Sequence, residues 1–519
     1  MNTLVLLLTI GADPVAADVV VKNATIHDGT GKAAYLGDVA IAGDKIVGVG
    51  KVAVAGAPRV IDGTGLVVAP GFIDLHTHCD SADTGVTSAS GRPNKCYVMQ
   101  GVTTVVTGNC GSGPADVKAF YSKLDKDGVG TNVAHLIPHN AVRSRAMGNA
   151  NRAPTADELK KMAELVDAGM RDGAWGLATG LIYTPGTYAD TDEIIALAKV
   201  AAKYHGIYAS HIRHEDVRLL DGIGEALRVG KEAKMPVHIS HIKASGKSAW
   251  GKSADAIAQI RKAVADGQAV TADQYPYVAS STSLAATLVP TRYRDGTTQE
   301  YRARLDDPEK GPQIRKAVES ALGGRDGGKG IMIARYRPNP KWQGKSLAAI
   351  AEAEKKSPAD VVMEIEKAGG ASVVNFGMSE EDVRLYMKQT WVATASDGSS
   401  QVPGDTVPHP RSYGTFPRKI GRYAIEDGVI PLEQAIRSAS GLPADILHLT
   451  DRGYLKPGMF ADIVVFDARA YRDVATFEKP HQYAAGVKYL FVNGKLVIDS
   501  GEYKEVLAGK ALRKLISDQ

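Results

Sequence analysis

The stretch Gly71-Phe72-Ile73-Asp74-Leu75-His76-Thr77-His78 sets the frame for the whole chain. Its apolar start is typical of a buried strand, and the strand ends in two histidines that are two residues apart. Residues i and i+2 of a strand point to the same face, so the two imidazoles can converge on one point. A metal ion is the usual reason for such convergence, although two unrelated polar residues at a strand end give the same pattern.

Strands and helices alternate downstream of this stretch. Asp190 can cap a helix with an apolar stripe, and the strand after that helix delivers His211. The next strand delivers His241, thirty residues further on, which is the spacing of one strand–helix–strand unit. Eight strands are predicted in this part, at about 72–76, 103–107, 133–137, 174–179, 207–210, 236–240, 269–273 and 391–396.

Eight such strands fit an α/β fold, the (β/α)8 TIM-like barrel, whose active site forms at the C-terminal ends of its strands. The count sets aside 373–376, which could instead be the seventh barrel strand. Residues from about 292 to 343 are rich in charge and glycine and too long for an ordinary loop. We therefore expect an inserted subdomain there.

Both ends of the chain differ from its middle in pattern: they contain short β-runs separated by turn residues. Near the C-terminus, Asn493-Gly494 is a strong hairpin signal between two such runs. We expect residues 18–70 and 441–519 to form one small composite β-sandwich domain and residues 71–440 to form the barrel.

The first seventeen residues resemble a secretory signal peptide. The apolar run 4–11 is followed by Val15-Ala16-Ala17, which offers small residues at positions −3 and −1. No Lys or Arg precedes the run, and the alternative is an ordinary buried first strand. We expect cleavage after Ala17 and a periplasmic or secreted protein; the alternative implies a cytoplasmic one.

Composition excludes several classes of protein. A net charge of +4 on 519 residues, without a basic stripe, argues against nucleic-acid binding. No run is long enough to span a bilayer. The three cysteines, Cys79, Cys96 and Cys110, are too few and odd in number for a disulfide framework. Composition carries no signal of an oligomeric state.

Polar residues of metal-ligand type stand at the ends of five predicted strands. In a barrel, all of these ends meet at one face. A buried, satisfied histidine explains any one of them as well as a ligand does, but six at equivalent positions favour a metal centre. The six are His76, His78, Cys110, His211, His241 and Asp397.

With these residues the chain resembles the D-aminoacylases (N-acyl-D-amino-acid deacylases) of the amidohydrolase superfamily, over nearly its whole length after residue 17. The most specific motifs are the cysteine motif and the His-Pro-Arg block. The matching motifs are Pro70 to His78, Gly101-Val102-Thr103-Thr104-Val105, Gly108-Asn109-Cys110-Gly111, Ser210-His211-Ile212-Arg213, Ile239-Ser240-His241-Ile242-Lys243, Asp273-Gln274-Tyr275-Pro276-Tyr277, Ser396-Asp397-Gly398 and His409-Pro410-Arg411.

The resemblance implies a barrel of the metal-dependent amidohydrolase type and a zinc cofactor. It implies one tight zinc on Cys110, His211 and His241, and a second, weaker or empty position lined by His76, His78 and Asp397. Many relatives use a carbamylated lysine at the end of strand four, but no lysine occurs between Lys161 and Lys199. A Cys110 thiolate can supply the missing anionic ligand.

The implied reaction is hydrolysis of N-acyl-D-amino acids, small-molecule substrates, with Asp397 as the catalytic acid and base. Arg411, whose planar fork suits a carboxylate, would bind the substrate together with Lys243, Tyr275 and Ser281. Tyr277 and Ser283 are alternatives one register along. Two other functions compete: a cyclic-amide hydrolase of the dihydropyrimidinase or dihydroorotase kind, and a non-catalytic amidohydrolase-like scaffold.

Overall fold

The computed structural model describes residues 14–515. Its central feature is a series of eight parallel strands that follow one another in sequence order. The third strand is interrupted at Leu136 and continues as Ile137–Pro138, the piece that pairs with the fourth strand. The eight strands are Phe72–Asp74, Val102–Thr107, Asn132–His135, Gly176–Gly180, Ile207–His211, Val237–Ile239, Val270–Gln274 and Val392–Thr394.

Hydrogen bonds connect the end of the eighth strand to the end of the first. The amide of Asp397 donates to the carbonyl of His76 at 2.8 Å, and the amide of His78 donates to the carbonyl of Gly398 at 2.6 Å. Below them, the Ser396 amide donates to the Asp74 carboxylate at 3.0 Å. Two segments more than 300 residues apart in sequence are thereby brought side by side at one end of the strands.

Helices pack around these strands and bury an apolar face against them. After the fourth strand, Asp190 accepts a hydrogen bond from the amide of Glu193 at 2.7 Å, as predicted for a helix N-cap. The helices of this part are Lys95–Val98, Val117–Asp127, His139–Met147, Ala156–Arg171, Thr191–Ala202, Leu219–Ala233, Ser253–Ala265, Glu380–Met387, Arg411–Pro417, Leu432–Ala439 and Gly441–Leu447, with a π-helix at Arg418–Glu426.

Strands from both ends of the chain join in one nine-stranded sheet. The junction is antiparallel, with Val464 opposite Ala69. Asn493 and Gly494 both have positive φ, 49° and 75°, as a tight hairpin turn requires. Eight strands lie in the spatial order Glu502–Tyr503, Lys495–Asp499, Val487–Val492, Ile463–Phe466, Val67–Pro70, Val19–Ile26, Tyr35–Ala42 and Lys45–Gly50, and Arg59–Asp62 also pairs with Val19–Ile26.

A separate unit lies between the seventh and eighth parallel strands and has its own apolar core, from Leu284 to Val373. It therefore extends beyond the predicted bounds of 292–343 on both sides. Residues 373–375 belong to its antiparallel sheet, so they are not a strand of the parallel series. This unit, called the insert below, contains the strands Ser280–Ser283, Ile331–Arg335 and Ser372–Asn375 and the helices Leu284–Leu288, Thr298–Asp306, Lys310–Gly323, Leu347–Glu354 and Pro358–Lys367.

The predicted signal peptide lies mostly outside the described residues. Of its last residues, Val15–Ala16 form a short parallel pair with Val54–Ala55. Between residues 14 and 515, no helix combines the length and the apolar character needed to cross a membrane.

Candidate metal centre and active site

Cys110 lies at the centre of the predicted ligands. It follows the second strand in a short 3-10 turn, Asn109–Gly111, and its side chain is buried. Its sulfur is 3.3 Å from Nε2 of His76, 3.5 Å from Nδ1 of His211 and 3.5 Å from Nε2 of His241. Ends of four different strands thus meet around one thiol, and His76 is as close to it as the two histidines expected to share its zinc.

These separations fit a tetrahedral zinc site. Zn–S bonds of about 2.3 Å and Zn–N bonds of about 2.0–2.1 Å place neighbouring ligand atoms roughly 3.5 Å apart. Burial lowers the pKa of His76 to about 4 and that of His211 well below its usual value, so both rings are neutral, as metal ligands must be. Burial also raises the pKa of the Cys110 thiol. A cation is therefore needed there to produce a thiolate.

Asp397 is the acidic member of the cluster. Its Oδ1 is 3.2 Å from Nε2 of His78 and 3.5 Å from Nε2 of His76. Its Oδ2 accepts a hydrogen bond from Arg411 at 2.7 Å. Burial disfavours the charged carboxylate, but Arg411 and His241 outweigh this and hold the pKa of Asp397 well below its usual range.

A cavity of about 320 Å³ opens above the cluster. Of the predicted residues it exposes His78, Cys110, Asp397, Arg411 and Ser281, and the alternative Ser283. This volume lies at the lower end of the range for small-molecule sites. Tyr183, Ser112, Thr282, Ser399 and Ser372 also line it and were not predicted.

The other two predicted substrate-binding residues lie behind this surface. Lys243 is buried, and its Nζ is 2.7 Å from Nδ1 of His241 and 2.5 Å from Oε1 of Glu215. The ring of Tyr275 lies 4.9 Å from the Arg411 guanidinium, and its hydroxyl has no hydrogen-bond partner among the described residues. The alternative Tyr277 packs its ring against His409 instead, at 4.9 Å.

A model of the amidohydrolase family matches residues 59–498. The chain belongs to the amidohydrolase family. It is 34% identical to a D-aminoacylase of Alcaligenes xylosoxydans xylosoxydans, over 96% of this chain and 98% of that protein. An N-acyl-D-glutamate deacylase of the same organism is 33% identical over 92% of this chain and 93% of its own length.

One solved structure resembles this amidohydrolase over almost its full length. It is an N-acyl-D-glutamate deacylase from Bordetella bronchiseptica, complexed with zinc and a phosphonate inhibitor that mimics the tetrahedral intermediate of its reaction. The TM-score is 0.83 at 30% identity, over 96% of this chain and 100% of that one.

Three of the six candidate ligands of the amidohydrolase have a left-handed backbone. The φ angles are 52° at Cys110, 36° at His241 and 50° at Asp397. Residues with a Cβ pay roughly 1 kcal/mol or more for such a conformation, and they persist where the surrounding structure imposes it. Each lies just after a strand, where the turn redirects the side chain toward the cluster.

Two carboxylates of the amidohydrolase were not predicted as site residues. Glu215, four residues after His211, is 3.1 Å from Nδ1 of His241, and Asp273 is 3.4 Å from Nδ1 of His76. Asp273 also accepts from His238 at 2.7 Å and from the His241 amide at 2.6 Å. An acidic residue at the end of the seventh strand was the available signal for Asp273; the Glu215 contact depends on a turn that the sequence pattern does not specify.

Proposed function

We propose that this amidohydrolase uses zinc to hydrolyse the amide bond of N-acyl-D-amino acids, giving a carboxylate and a free D-amino acid. One observation carries the proposal: the Cys110 thiol lies within 3.5 Å of three imidazole nitrogens, beneath a cavity that also exposes Asp397 and Arg411. The names of its relatives, a D-aminoacylase and two deacylases of acidic N-acyl-D-amino acids, support the same reaction.

Cys110, His211 and His241 would hold the tighter zinc ion, and His76, His78 and Asp397 would line the weaker position. When bound, zinc supplies Lewis-acid chemistry at the amide carbonyl and a nucleophile that is active near neutral pH. Glu215, which accepts from Nδ1 of His241 and is itself paired with Lys243, and Asp273, beside Nδ1 of His76, orient those two rings from behind.

Asp397 is the residue that moves the proton. In the hydrolysis, one water adds across the C–N bond, so a proton leaves the water and reaches the departing amine nitrogen. The carboxylate of Asp397 accepts that proton and then donates it to the nitrogen. Its buried position at the cavity floor keeps bulk water from competing for the proton.

Arg411 fixes the α-carboxylate of the substrate. Its guanidinium is buried, already donates to Asp397 at 2.7 Å and to the Ser281 carbonyl at 3.3 Å, and borders the cavity. The hydroxyl of Ser281, at the cavity surface, and that of Tyr275, which lies behind it without a hydrogen-bond partner among residues 14–515, would complete the carboxylate site. With carboxylate and acyl carbonyl both held, only one enantiomer can direct its side chain into the remaining space.

The competing functions receive less support. The cyclic-amide hydrolases usually carry a carbamylated lysine at the end of the fourth strand. The fourth strand of this chain, Gly176–Gly180, contains no lysine. A non-catalytic scaffold loses metal ligands, whereas the side chains of all six candidates lie in or beside this cluster.

Two broader features belong to this proposal. We propose that the eight strands close as a (β/α)8 barrel, supported by the pairing of Thr77 with Gly398, and that the sheet from both chain ends is a β-sandwich domain.

We also propose export with cleavage after Ala17. N-terminal sequencing of protein from its native cell should find Asp18 first; an intact Met1 would contradict export.

The reaction is tested by deacylation rates on matched N-acetyl-D- and N-acetyl-L-amino acids, measured with zinc-loaded protein. We expect hydrolysis of D-enantiomers with at least a hundredfold lower kcat/KM for the L-enantiomers. Dihydrouracil and hydantoin serve as cyclic-amide controls. Comparable rates on both enantiomers, or cleavage of the cyclic amides alone, would rule out the proposed function.

A further inference from the structure

A second cavity, of about 650 Å³, lies beside the catalytic one. Ser283 and Ser372 line both cavities, so the two adjoin each other along one edge of the insert. Three arginines line the second cavity: Arg302, Arg335 and Arg337. We call these three residues the arginine cluster.

The sheet of the insert connects the two cavities. Ser283 is paired with Ser372 on the neighbouring strand, and Ser372 is paired with Arg335 on the next. All three residues are exposed, so they form one row across the solvent side of the sheet. Neighbouring strands are about 4.8 Å apart, which puts the backbone of Arg335 roughly 10 Å from that of Ser283. A flexible arginine side chain covers much of that distance.

The charges of the arginine cluster are uncompensated. Within residues 14–515, none of its guanidinium groups forms a hydrogen bond or an ion pair, whereas most other arginines do. Two carboxyl groups also line the cavity. Asp83 is exposed and forms no ion pair in this part of the chain; Glu366 is buried, accepts from Tyr301 at 3.1 Å, and burial raises its pKa to about 7.

Space around the cluster is left by a glycine. A Cβ at Gly369 would lie 2.8 Å from Nη2 of Arg302, so any larger residue would crowd that guanidinium. Gly369 also has φ of 116°, which disfavours other residues. The cavity therefore combines room, three planar cations without partners in the described part of the chain, and a wall shared with the reaction site.

We propose that the arginine cluster is a subsite for a second carboxylate, carried at the far end of the substrate. This inference rests on the proposed function and names its substrate class: N-acyl-D-amino acids with an acidic group on the side chain or on the acyl chain. Arginine suits this role because its rigid fork binds a carboxylate through two hydrogen bonds. Arg411 serves the α-carboxylate, so the two anionic groups of such a substrate have separate cations.

The test compares acids with their uncharged amides in two matched pairs. N-acetyl-D-glutamate and N-acetyl-D-glutamine differ in the side chain; N-succinyl-D-leucine and N-succinamoyl-D-leucine differ in the acyl chain. We expect the acid of at least one pair to have a tenfold or greater kcat/KM, expressed mainly in KM. The favoured pair identifies which end carries the group. The preference should decline between 0.05 and 0.5 M salt, because the cluster is solvent-exposed.

The triple variant Arg302→Gln, Arg335→Gln, Arg337→Gln should remove this preference and leave N-acetyl-D-leucine within twofold of wild type. Arg469→Gln is the matched control, because Arg469 is an exposed arginine outside both cavities. Equal rates for acid and amide in both pairs, or an equal loss on N-acetyl-D-leucine in the triple variant, would overturn the subsite while leaving the proposed function standing. Failure to hydrolyse any of the five compounds would instead overturn the proposed function, and this role of the cluster with it.

Discussion

At the scale of single residues, two of the imidazoles around Cys110, those of His241 and His76, have a carboxylate beside the nitrogen that faces away from the sulfur. His241 presents Nε2 to the sulfur while its Nδ1 lies 3.1 Å from Glu215, and His76 presents Nε2 while its Nδ1 lies 3.4 Å from Asp273. The outer partner selects the tautomer and the ring orientation. The thiol is the one sulfur in this set, so it is the point at which metal affinity can be tested most directly.

We predict that Cys110→Ala loses tightly bound zinc and loses activity while remaining folded. Removing the thiolate takes away one charged ligand but leaves the neighbouring imidazoles; those of His76 and His211 are neutral because burial lowers their pKa. Zinc content by mass spectrometry of dialysed protein and turnover of an N-acyl-D-amino acid provide the measurements.

Cys96→Ala is the matched control for this prediction. Cys96 is also buried, but its sulfur accepts from the Gln401 amide at 3.3 Å, and no imidazole within residues 14–515 is hydrogen-bonded to it. It should keep its zinc and most of its activity. A Cys110→Ala protein with one zinc per chain and near-normal turnover would show that the thiol is not a ligand.

We predict that Arg411→Ala lowers kcat/KM by about one to two orders of magnitude, because a charge-assisted bidentate contact is worth roughly 1.5–3 kcal/mol. Arg411→Lys should recover only part of this, since an ammonium keeps the charge but not the fork. Substrates with an amide in place of the α-carboxylate should be poor substrates for wild type. Their kcat/KM, measured at alkaline pH where it no longer changes with pH, should fall much less in Arg411→Ala than that of the acids. Equal losses for acids and amides would contradict carboxylate capture.

The same variants predict a change in pH dependence. Arg411 helps to hold the pKa of Asp397 low against burial, so removing the cation raises that pKa. A base works only above its pKa, and the acid limb of the kcat/KM profile should therefore move to higher pH in Arg411→Ala, and less so in Arg411→Lys. An acid limb that stays in place would mean that Asp397 is not the group that titrates there.

At the scale of elements, the helix Thr191–Ala202 is fixed at its first turn by two acidic residues with different roles. Asp190 caps the helix, as its sequence position predicts. The side chain of Glu193 does not bond back to the Asp190 amide, as it would in a capping box. It is buried and accepts from Arg143 at 3.1 Å and His139 at 2.9 Å, both on the helix His139–Met147. One residue thus stabilises the helix end and the other joins two helices.

We predict that Glu193→Gln lowers the free energy of unfolding by about 3 kcal/mol, because it leaves the Arg143 charge buried without a counter-ion. Asp190→Ala should cost about 1 kcal/mol, the usual value of an N-cap. Urea unfolding of both variants against wild type gives the comparison. Asp192→Ala, at an exposed position in the same turn, is the control and should change stability least.

The contribution of Glu193 should also depend on pH. Burial opposes its charge, but His139 and Arg143 outweigh burial and hold its pKa below 4.5 in the folded protein. A carboxyl group whose pKa is lower in the folded than in the unfolded protein stabilises the fold. This stabilisation is complete above the pKa of the unfolded state and is lost as the pH falls through the pKa of the folded state. The difference in the free energy of unfolding between wild type and Glu193→Gln should therefore be constant above pH 5 and become smaller below pH 4.5.

Strands were easier to predict than the contacts between them. All eight parallel strands were located because apolar runs and polar ends are local patterns. The bounds of the insert were missed since its first and last strands pair with each other across about ninety residues. The Arg411–Asp397 ion pair and the contact of Lys243 with Glu215 were missed for a related reason. The partner of a long side chain depends on neighbours that are distant in sequence.

At the scale of the whole molecule, Asp462 joins the composite sheet to the parallel strands. Its buried carboxylate accepts from Asn132 at 3.0 Å on the third strand, from the Asn493 amide at 2.7 Å, and from Arg452. The sheet and the strands that carry the active site therefore share one hydrogen-bonded charge pair.

We predict that Asp462→Ala lowers the free energy of unfolding by about 3 kcal/mol, because Arg452 would lose its buried carboxylate partner and keep only the half-exposed Asp451. The folded fraction should keep its KM, since neither residue lines the catalytic cavity. Asp451→Ala, which also removes a carboxylate next to Arg452 but at a half-exposed position, should cost less than about 1 kcal/mol. Equal destabilisation by both variants would contradict this role of Asp462.

The left-handed turns at Cys110, His241 and Asp397 bear on any attempt to transplant this site. A host barrel chosen only for well-placed Cβ atoms would aim these three side chains wrongly, because ordinary strand ends leave in a different direction. A graft would have to carry the turns together with the side chains. Searches for similar centres in unrelated proteins should accordingly match backbone dihedral angles first and residue types second.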